Sequence, residues 1–252
     1  MTAPPPHADH YSYSVYADPA MAEAFDALRF SGPIGRLIAE SQERVIVSFL
    51  SPLAGRSVLD VGTGTGRAAI ALALRGAVVT AVDASVEMLA VAERRARDAR
   101  AEIRFAPGDA HALSFPPKSF DAVVCLRVLM HTPDWRRSLG ELCRVARNRV
   151  VVDYPAVASA AALHALTRRV AHRLGARVEA YRVFSDRSVR AVLAAHGFRL
   201  VDEQREFVLP IAFHKRLGSA AATTRIEGAL AAAGLTRLCG SPVTIVAERC
   251  AS

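Results

Sequence analysis

The chain has 252 residues, 52% of them hydrophobic, so it is long enough to bury a substantial core. Its net charge of +8 comes almost entirely from scattered arginines, because Lys118 and Lys215 are the only two lysines. An arginine and alanine bias of this kind is typical of GC-rich genomes. A basic protein can bind nucleic acid or an anionic membrane. Because the arginines are scattered and follow a compositional bias, we expect neither partner here.

The cysteines and the apolar segments exclude further classes. The four cysteines lie far apart, at Cys125, Cys143, Cys239 and Cys250, without the spacing of a metal site or a disulfide framework. We expect no bound metal. No segment resembles a secretory signal or a membrane span, so we predict a cytoplasmic protein.

The N-terminal part is predicted to be a short tail followed by helices. Residues 1–10 are proline-rich and predicted to be disordered, and residues 11–252 are predicted to form one domain. Tyr11, Tyr13 and Tyr16 fit either a flap over a ligand or packing of a mobile tail. Apolar residues at helical spacing follow from 19 to 50, with a break at residues 31–33.

From residue 57 onward, strands alternate with helices. Apolar strands are predicted at 58–61, 77–82, 103–106, 120–126 and 149–152, and helices at 67–75, 85–100 and 133–147. This alternation is typical of a parallel sheet with helices on both faces, an α/β fold.

The alternation stops after residue 155. We predict helices over 156–187, a helix at 188–196, a strand at 199–209, mostly helical structure over 210–234 and a last strand at 243–248. The segments 156–187 and 210–234 exceed what connections in this fold need. We therefore predict that they form a substrate pocket.

A glycine-rich turn follows the first strand of this series. Gly62, Gly64 and Gly66 allow sharp turning and a close approach of the backbone to a ligand. Asp83 ends the next strand, where a carboxylate accepts hydrogen bonds from both hydroxyls of a ribose. The dinucleotide fingerprint is the alternative. Its third glycine is replaced here by Arg67, and Asp60 suits a cationic amine better than phosphates.

With its neighbours in order, the turn resembles motif I of the class I S-adenosylmethionine-dependent methyltransferases. Residues 79–85 resemble the second strand of that family with its ribose-binding acid. Residues 108–116 and 119–124 resemble its adenine-side segment and fourth strand, nearest the subgroup with ubiquinone and menaquinone C-methyltransferases. The resemblance implies a Rossmann-like, doubly wound, seven-stranded sheet, mostly parallel with an antiparallel last strand.

The resemblance also implies a cofactor, S-adenosyl-L-methionine, which leaves as S-adenosyl-L-homocysteine. Gly62, Thr63 and Gly64 would line its methionine part, Asp60 would hold its amino group and Asp83 its ribose. Six more residues complete the implied site: Ala84 and Met88 beside the ribose and adenine, Asp109 and Ala110 at the adenine, and Leu126 and Arg127 at the methionine end. Some have structural alternatives, since Asp83 and Asp109 can act as caps and Met88 as a core residue.

Two residues are candidates for catalysis, because ligands of such sheets bind at the carboxyl edge. His131 follows the fourth strand, and Tyr154 follows the fifth. His131 can equally cap the helix predicted from Pro133, and Tyr154 can simply pack on Pro155. The basic cluster at 214–216 fits an anionic substrate group or, more simply, a solvated helix start.

The leading hypothesis is methyl transfer to oxygen, nitrogen or carbon of a small-molecule acceptor by in-line displacement. A nicotinamide-dependent oxidoreductase and a non-catalytic cofactor-binding protein are the alternatives. The fold guarantees no general base, because a base is needed only where the acceptor must lose a proton. The sequence does not indicate the acceptor or the oligomeric state.

Overall fold

The computed structural model describes residues 13, 16–160, 162 and 182–251. The predicted tail at 1–10, Tyr11 and most of the predicted insertion at 156–187 lie outside these residues. Helices are numbered below in their order along the described chain. None of those helices is long and apolar enough to cross a membrane.

A single mixed sheet, with strand order β3-β2-β1-β4-β5-β7-β6, organises the described chain. Its strands are β1 (Ser57–Val61), β2 (Val78–Asp83), β3 (Ile103–Pro107), β4 (Phe120–Cys125), β5 (Ala146–Tyr154), β6 (Phe198–Phe207) and β7 (Ser241–Arg249). β1 to β5 pair in parallel, whereas β7 runs antiparallel to both β5 and β6. The predicted mostly parallel, seven-stranded sheet with an antiparallel last strand is confirmed.

Helices cover both faces of this sheet. They are α1 (Pro19–Phe30), α2 (Gly32–Leu50), α3 (Arg67–Ala73), α4 (Val86–Asp98), α5 (Trp135–Val145), α6 (Asp186–Ala195), α7 (Ile211–Leu217), α8 (Ala220–Ala232) and α9 (Leu235–Cys239). Ser85 caps α4 as predicted, since its hydroxyl accepts from the backbone nitrogen of Met88 at 3.0 Å.

The hydrophobic core has two layers because neighbouring strand residues point to opposite faces. Val123 of β4 belongs to the layer that also holds Leu139 and Leu142 of α5. Its neighbour Val124 belongs to the layer that holds Ile46 of α2 and Leu72 of α3. This double burial explains the nearly continuous apolar sequence of the central strands.

Several predicted boundaries were wrong. The helix predicted from Pro133 begins at Trp135, because the Asp134 carboxylate accepts from the backbone nitrogen of Arg137 and caps α5. That helix ends at Val145, and Ala146 already belongs to β5, where it pairs with Phe120. The segment 210–234 is mostly helical, as predicted, and Gly218, whose φ is +68°, separates α7 from α8.

α1 lies across the carboxyl edge of the sheet and is held mainly by α4. Ala22 packs with Met88 and Val91 in a small apolar cluster, which Phe25 also joins. Because α1 and α2 are nearly continuous, this contact fixes their junction over the ends of β1, β2 and β4. That junction forms one wall of the main cavity of the described structure.

Candidate active site

The cavity lies at the carboxyl edge of the parallel strands. It encloses about 1200 Å³, counted out to the open solvent at its mouth. Its walls are the turn between β1 and α3, the end of β2, the loops 108–111 and 126–133, and residues of α1 and α2. Ligands of open α/β sheets bind at this edge, so we take the cavity as the candidate active site.

The glycine turn forms the floor of the cavity through its unusual backbone. Gly62, Gly64 and Gly66 have φ angles of +69°, +55° and +81°, which residues with a Cβ adopt only at a cost. A Cβ on Gly62 would also lie 2.2 Å from Cγ2 of Val128, whereas one on Gly64 would meet nothing within 4 Å. Gly62 is therefore required by packing against the segment after β4, and Gly64 leaves its side of the turn open.

Asp60 is a buried carboxylate at the end of β1, only 2% exposed. The Thr63 hydroxyl donates to Oδ2 of Asp60 at 2.7 Å. Burial nevertheless raises the pKa of Asp60 to about 6, and the nearby charge of Asp83 adds to this effect. A bound cation beside Asp60 would relieve this cost of ionisation, so the site favours a positively charged ligand group.

Asp83 connects the glycine turn to the start of α4. Its Oδ2 accepts from the backbone nitrogen of Gly64 at 2.7 Å, and its Oδ1 accepts from that of Ser85 at 2.9 Å. Burial raises the pKa of Asp83 in spite of these bonds. Asp83 thus acts as a structural cap at the end of β2, which was the alternative to ribose binding. Each oxygen still has a second lone pair for a ligand hydroxyl.

Asp109 lies in a hydrogen-bonded network at the far end of the cavity. Its Oδ1 is 2.8 Å from both the backbone nitrogen and Nδ1 of His111, and the Tyr13 hydroxyl donates to its Oδ2 at 2.9 Å. Burial raises the pKa of Asp109, but these bonds outweigh it and lower the pKa to about 2. Asp109 therefore caps the bend at 109–111, and Tyr13 covers one of its ligand-facing oxygens.

Arg67 lies on the opposite side of the cavity, directly after the glycine turn. Its guanidinium is 3.6 Å from the centre of the Phe30 ring, and its Nη2 donates to Oε1 of Gln42 at 2.7 Å. Phe30 and Gln42 line the same cavity. Sequence reasoning considered Arg67 only as the replacement of a fingerprint glycine, because its partners are 25 or more positions away.

Arg127 also lines this side of the cavity, and Asp153 fixes its backbone. The φ of Arg127 is +60°, and its backbone nitrogen donates to Oδ1 of Asp153 at the end of β5. Asp153 is fully buried, and no described residue forms a hydrogen bond with its Oδ2. Burial raises the pKa of Asp153. Asp153 could not be selected from the sequence, because one acid in an apolar strand has no diagnostic spacing.

The two catalytic candidates lie in different surroundings. His131 lines the cavity, is 9% exposed and packs edge-on against Tyr16, with 5.9 Å between ring centres. It does not cap α5, since Asp134 does. Tyr154 is not among the cavity-lining residues, is fully buried, and donates its hydroxyl to Asp186 at 3.0 Å. The Tyr154 hydroxyl is therefore engaged outside the cavity, and its ring packs against Phe184 with 5.9 Å between ring centres.

Comparisons with known proteins agree with this architecture. Residues 59–152 match the family model described as a methyltransferase domain. A demethylmenaquinone methyltransferase of Thermus thermophilus is 40% identical over 107 residues, which are 40% of this chain and 49% of that protein. A ubiquinone biosynthesis O-methyltransferase of Pseudomonas putida is 43% identical over 83 residues, 32% of this chain and 36% of that protein.

The comparison with solved structures extends over more of the chain. The magnesium protoporphyrin IX methyltransferase of Synechocystis PCC 6803, solved with bound SAH, superimposes with a TM-score of 0.62. That match covers 86% of this chain and 83% of the other, at 19% identity, and so shows a common fold. Residues 59–152 therefore resemble a methyltransferase domain in both sequence and fold. The recognition made from the motifs is confirmed for this domain, and the chain spans about half or less of the two sequence relatives.

The fold brings every predicted cofactor residue to one cavity. Its lining includes all eleven: Asp60, Gly62, Thr63, Gly64, Asp83, Ala84, Met88, Asp109, Ala110, Leu126 and Arg127. Their contacts with a cofactor remain a prediction. His111 also lines this cavity, although it was not selected from the sequence. Its position two residues after Asp109 could have indicated that it lies at the same site.

Proposed function

We propose that the chain transfers a methyl group from S-adenosylmethionine to a small-molecule acceptor. The observation that carries the proposal is the pair of carboxylates beside the glycine turn. Asp60 is buried and forms no ion pair with a described cation, although the charge of Arg67 reaches it. Asp83 lies 19 positions from Gly64 in sequence but accepts from its backbone nitrogen. A cofactor that combines an ammonium group with a ribose matches both. The structural neighbour solved with SAH supports the same cofactor.

The chemistry needs little from the protein beyond alignment. The sulfonium of the cofactor supplies an activated methyl group, which the acceptor displaces in line. Asp60 would hold the amino group, Asp83 the ribose hydroxyls, and Asp109 the adenine amino group once the Tyr13 hydroxyl yields its place. Met88 and Leu126 would exclude water beside them. This leaves orientation as the main source of rate.

His131 is the residue that we propose for proton transfer, where the acceptor needs it. It lies in the loop 126–133, between the proposed methionine end of the site and Tyr16. Oxygen, nitrogen and carbon acceptors all remain compatible with this position. The two sequence relatives are named as a demethylmenaquinone methyltransferase and an O-methyltransferase, and they match only part of this chain. Their substrates are therefore not transferred to it.

Calorimetry with S-adenosylhomocysteine tests the proposal. We expect the wild-type protein to bind, and the Asp83→Ala variant to bind more than about tenfold more weakly, which is ~1.4 kcal/mol. Asp98→Ala is the matched control, because Asp98 is an exposed acid at the end of α4. Absence of binding by the folded wild-type protein would refute the proposed function. Protection from thermal unfolding by NAD(P)H alone would favour the oxidoreductase alternative.

A further inference from the structure

Arg67 is a half-buried cation whose position is fixed by uncharged groups. Phe30 stacks against its guanidinium and Gln42 accepts from it, but no carboxylate of the described residues is within ion-pair distance. The charges of Asp26 and Asp60 both reach Arg67, but Asp26 is already ion-paired with Arg95 and accepts from the Thr65 hydroxyl. A guanidinium has five N–H donors, so several donors of Arg67 are left for the cavity.

Arg127 is a second guanidinium on the same side of the cavity. Among the described residues, its side chain has no hydrogen bond or ion pair, and Asp153 binds its backbone only. The carboxyls of Asp153 and Glu206 do interact electrostatically with Arg127. Neither lies within ion-pair distance, and burial raises the pKa of both carboxyls. They are therefore weak counter-charges for Arg127.

The acids of the cavity already have assigned partners under the proposed function, on which this inference rests. Asp60 would take the cofactor's ammonium, Asp83 its ribose and Asp109 its adenine. The cofactor brings one carboxylate to the two guanidiniums. We propose that the acceptor carries an anionic group, a carboxylate in the simplest case, which the pair formed by Arg67 and Arg127 binds together with the cofactor's carboxylate.

The surroundings of the pair support this substrate class. Burial, together with the charges of Arg127 and Arg95, lowers the pKa of Arg67 to about 10, so an anion placed there would relieve an unfavourable charge distribution. Phe25, Phe30 and Leu126 line the same part of the chain's cavity. Apolar walls with a few fixed donors bind an apolar body that ends in an oxyanion, because guanidinium groups pair with carboxylates in a bidentate manner.

The first experiment separates the cofactor's carboxylate from that of the acceptor. Affinities for S-adenosylhomocysteine and for 5′-methylthioadenosine, which lacks the amino-acid part, are measured for wild type, Arg67→Gln and Arg127→Gln. A guanidinium that binds the cofactor's carboxylate affects the first ligand and spares the second. Arg97→Gln is the matched control, because the Arg97 side chain is 71% exposed on α4. Thermal unfolding confirms that each variant folds.

The second experiment measures the anion preference with SAH at saturation. The probes are two isosteric pairs, benzoate with benzamide and 2-naphthoate with 2-naphthamide. We expect each carboxylate to bind about tenfold more tightly than its amide, the difference expected for charge-assisted hydrogen bonds. We expect this preference to fall to about twofold or less when the guanidinium that is not used by the cofactor is replaced.

Three results would overturn the inference. They are equal binding of amides and carboxylates, no binding of either carboxylate, and loss of SAH affinity with unchanged 5′-methylthioadenosine affinity in both variants. The last result would mean that both guanidiniums serve the cofactor. If wild-type protein does not bind SAH, the proposed function fails instead. The same probe pairs on cofactor-free protein then decide the anion site separately.

Discussion

The two sides of the cavity are built in different ways. The side that we propose for the cofactor consists mainly of backbone and carboxylates from β1, β2 and the turn between them, all between Asp60 and Asp83. The other side is assembled from Phe30, Gln42 and Arg127, with Arg67 in between. A side encoded in one short stretch is recognisable from sequence, whereas a side assembled from distant stretches is not.

The difference also concerns how each side tolerates change. The glycine turn is held by the ladder of β1 with β2 and β4, and by the bond from Gly64 to Asp83. The α1 wall is held by a small apolar cluster and by surface ion pairs such as Arg94 with Glu23. Surface pairs contribute little. We therefore expect specificity to vary on the α1 side while the glycine turn stays fixed.

The largest expected effect comes from a substitution at Gly62, where the glycine turn packs against the segment after β4. Gly62→Ala places a Cβ 2.2 Å from Val128 and forces a non-glycine residue to φ +69°. We expect a loss of about 3 kcal/mol in the free energy of unfolding, measured by urea denaturation. Gly64→Ala is the control, since it has the same sign of φ but open space around its Cβ. Its expected loss is about 1 kcal/mol. Equal losses would contradict the close packing of Gly62.

The next effect concerns Asp60, whose replacement should change the stability of the protein and its affinity for the cofactor in opposite directions. The pKa of Asp60 is about 6 in the folded protein, against about 3.9 for an unfolded aspartate. A raised carboxyl pKa stabilises the protein below pH 4, and this stability is lost as the pH rises through 6. At pH 8 we expect Asp60→Asn to raise the unfolding free energy by about 2 kcal/mol, and at pH 4 to change it little.

The same variant has the opposite effect on the cofactor. An ionised Asp60 favours a cationic ligand, so the affinity of the wild type for SAH should rise with pH up to about 6 and then level off. Asp60→Asn should bind SAH more weakly and lose this pH dependence, and its affinity for 5′-methylthioadenosine should not change. Calorimetry from pH 5 to 8 measures both. If the wild type were more stable than the variant at every pH, burial of the ionised Asp60 carboxylate would not destabilise the protein, and the prediction would be wrong.

The smallest expected effect concerns Tyr154 and tests whether this residue lies outside the proposed site. Tyr154→Phe removes a hydroxyl that donates to Asp186 at 3.0 Å, away from the cavity. We expect a loss of about 1 kcal/mol in the free energy of unfolding and unchanged SAH affinity. His131→Phe is the contrasting variant, because His131 lines the cavity. A methyl-transfer rate that falls with Tyr154→Phe at constant SAH affinity would return Tyr154 to the catalytic candidates.

Much of the fold was predictable because its signals are local. The alternation of strands and helices gave the sheet, and Ser85 marked the start of α4 as its cap. The errors fell where two local signals compete. Pro133 is a good first helical residue, but the carboxylate of Asp134 caps the helix, which therefore begins two positions later at Trp135. Ala146 suits a helix by propensity, and its pairing with Phe120 places it in β5 instead.

The sequence by itself determined the glycine turn, the acids at Asp60 and Asp83, and hence the resemblance to the class I methyltransferases. Glycine conformation and strand-end carboxylates act within a few residues of their own positions, so they are visible without a structure. Only the tertiary structure decided that Arg67 stacks on Phe30 and forms no ion pair with a described acid, and that Tyr154 turns to Asp186. Burial and pairing between distant segments set the charge around Arg67, and no local spacing in the sequence records them.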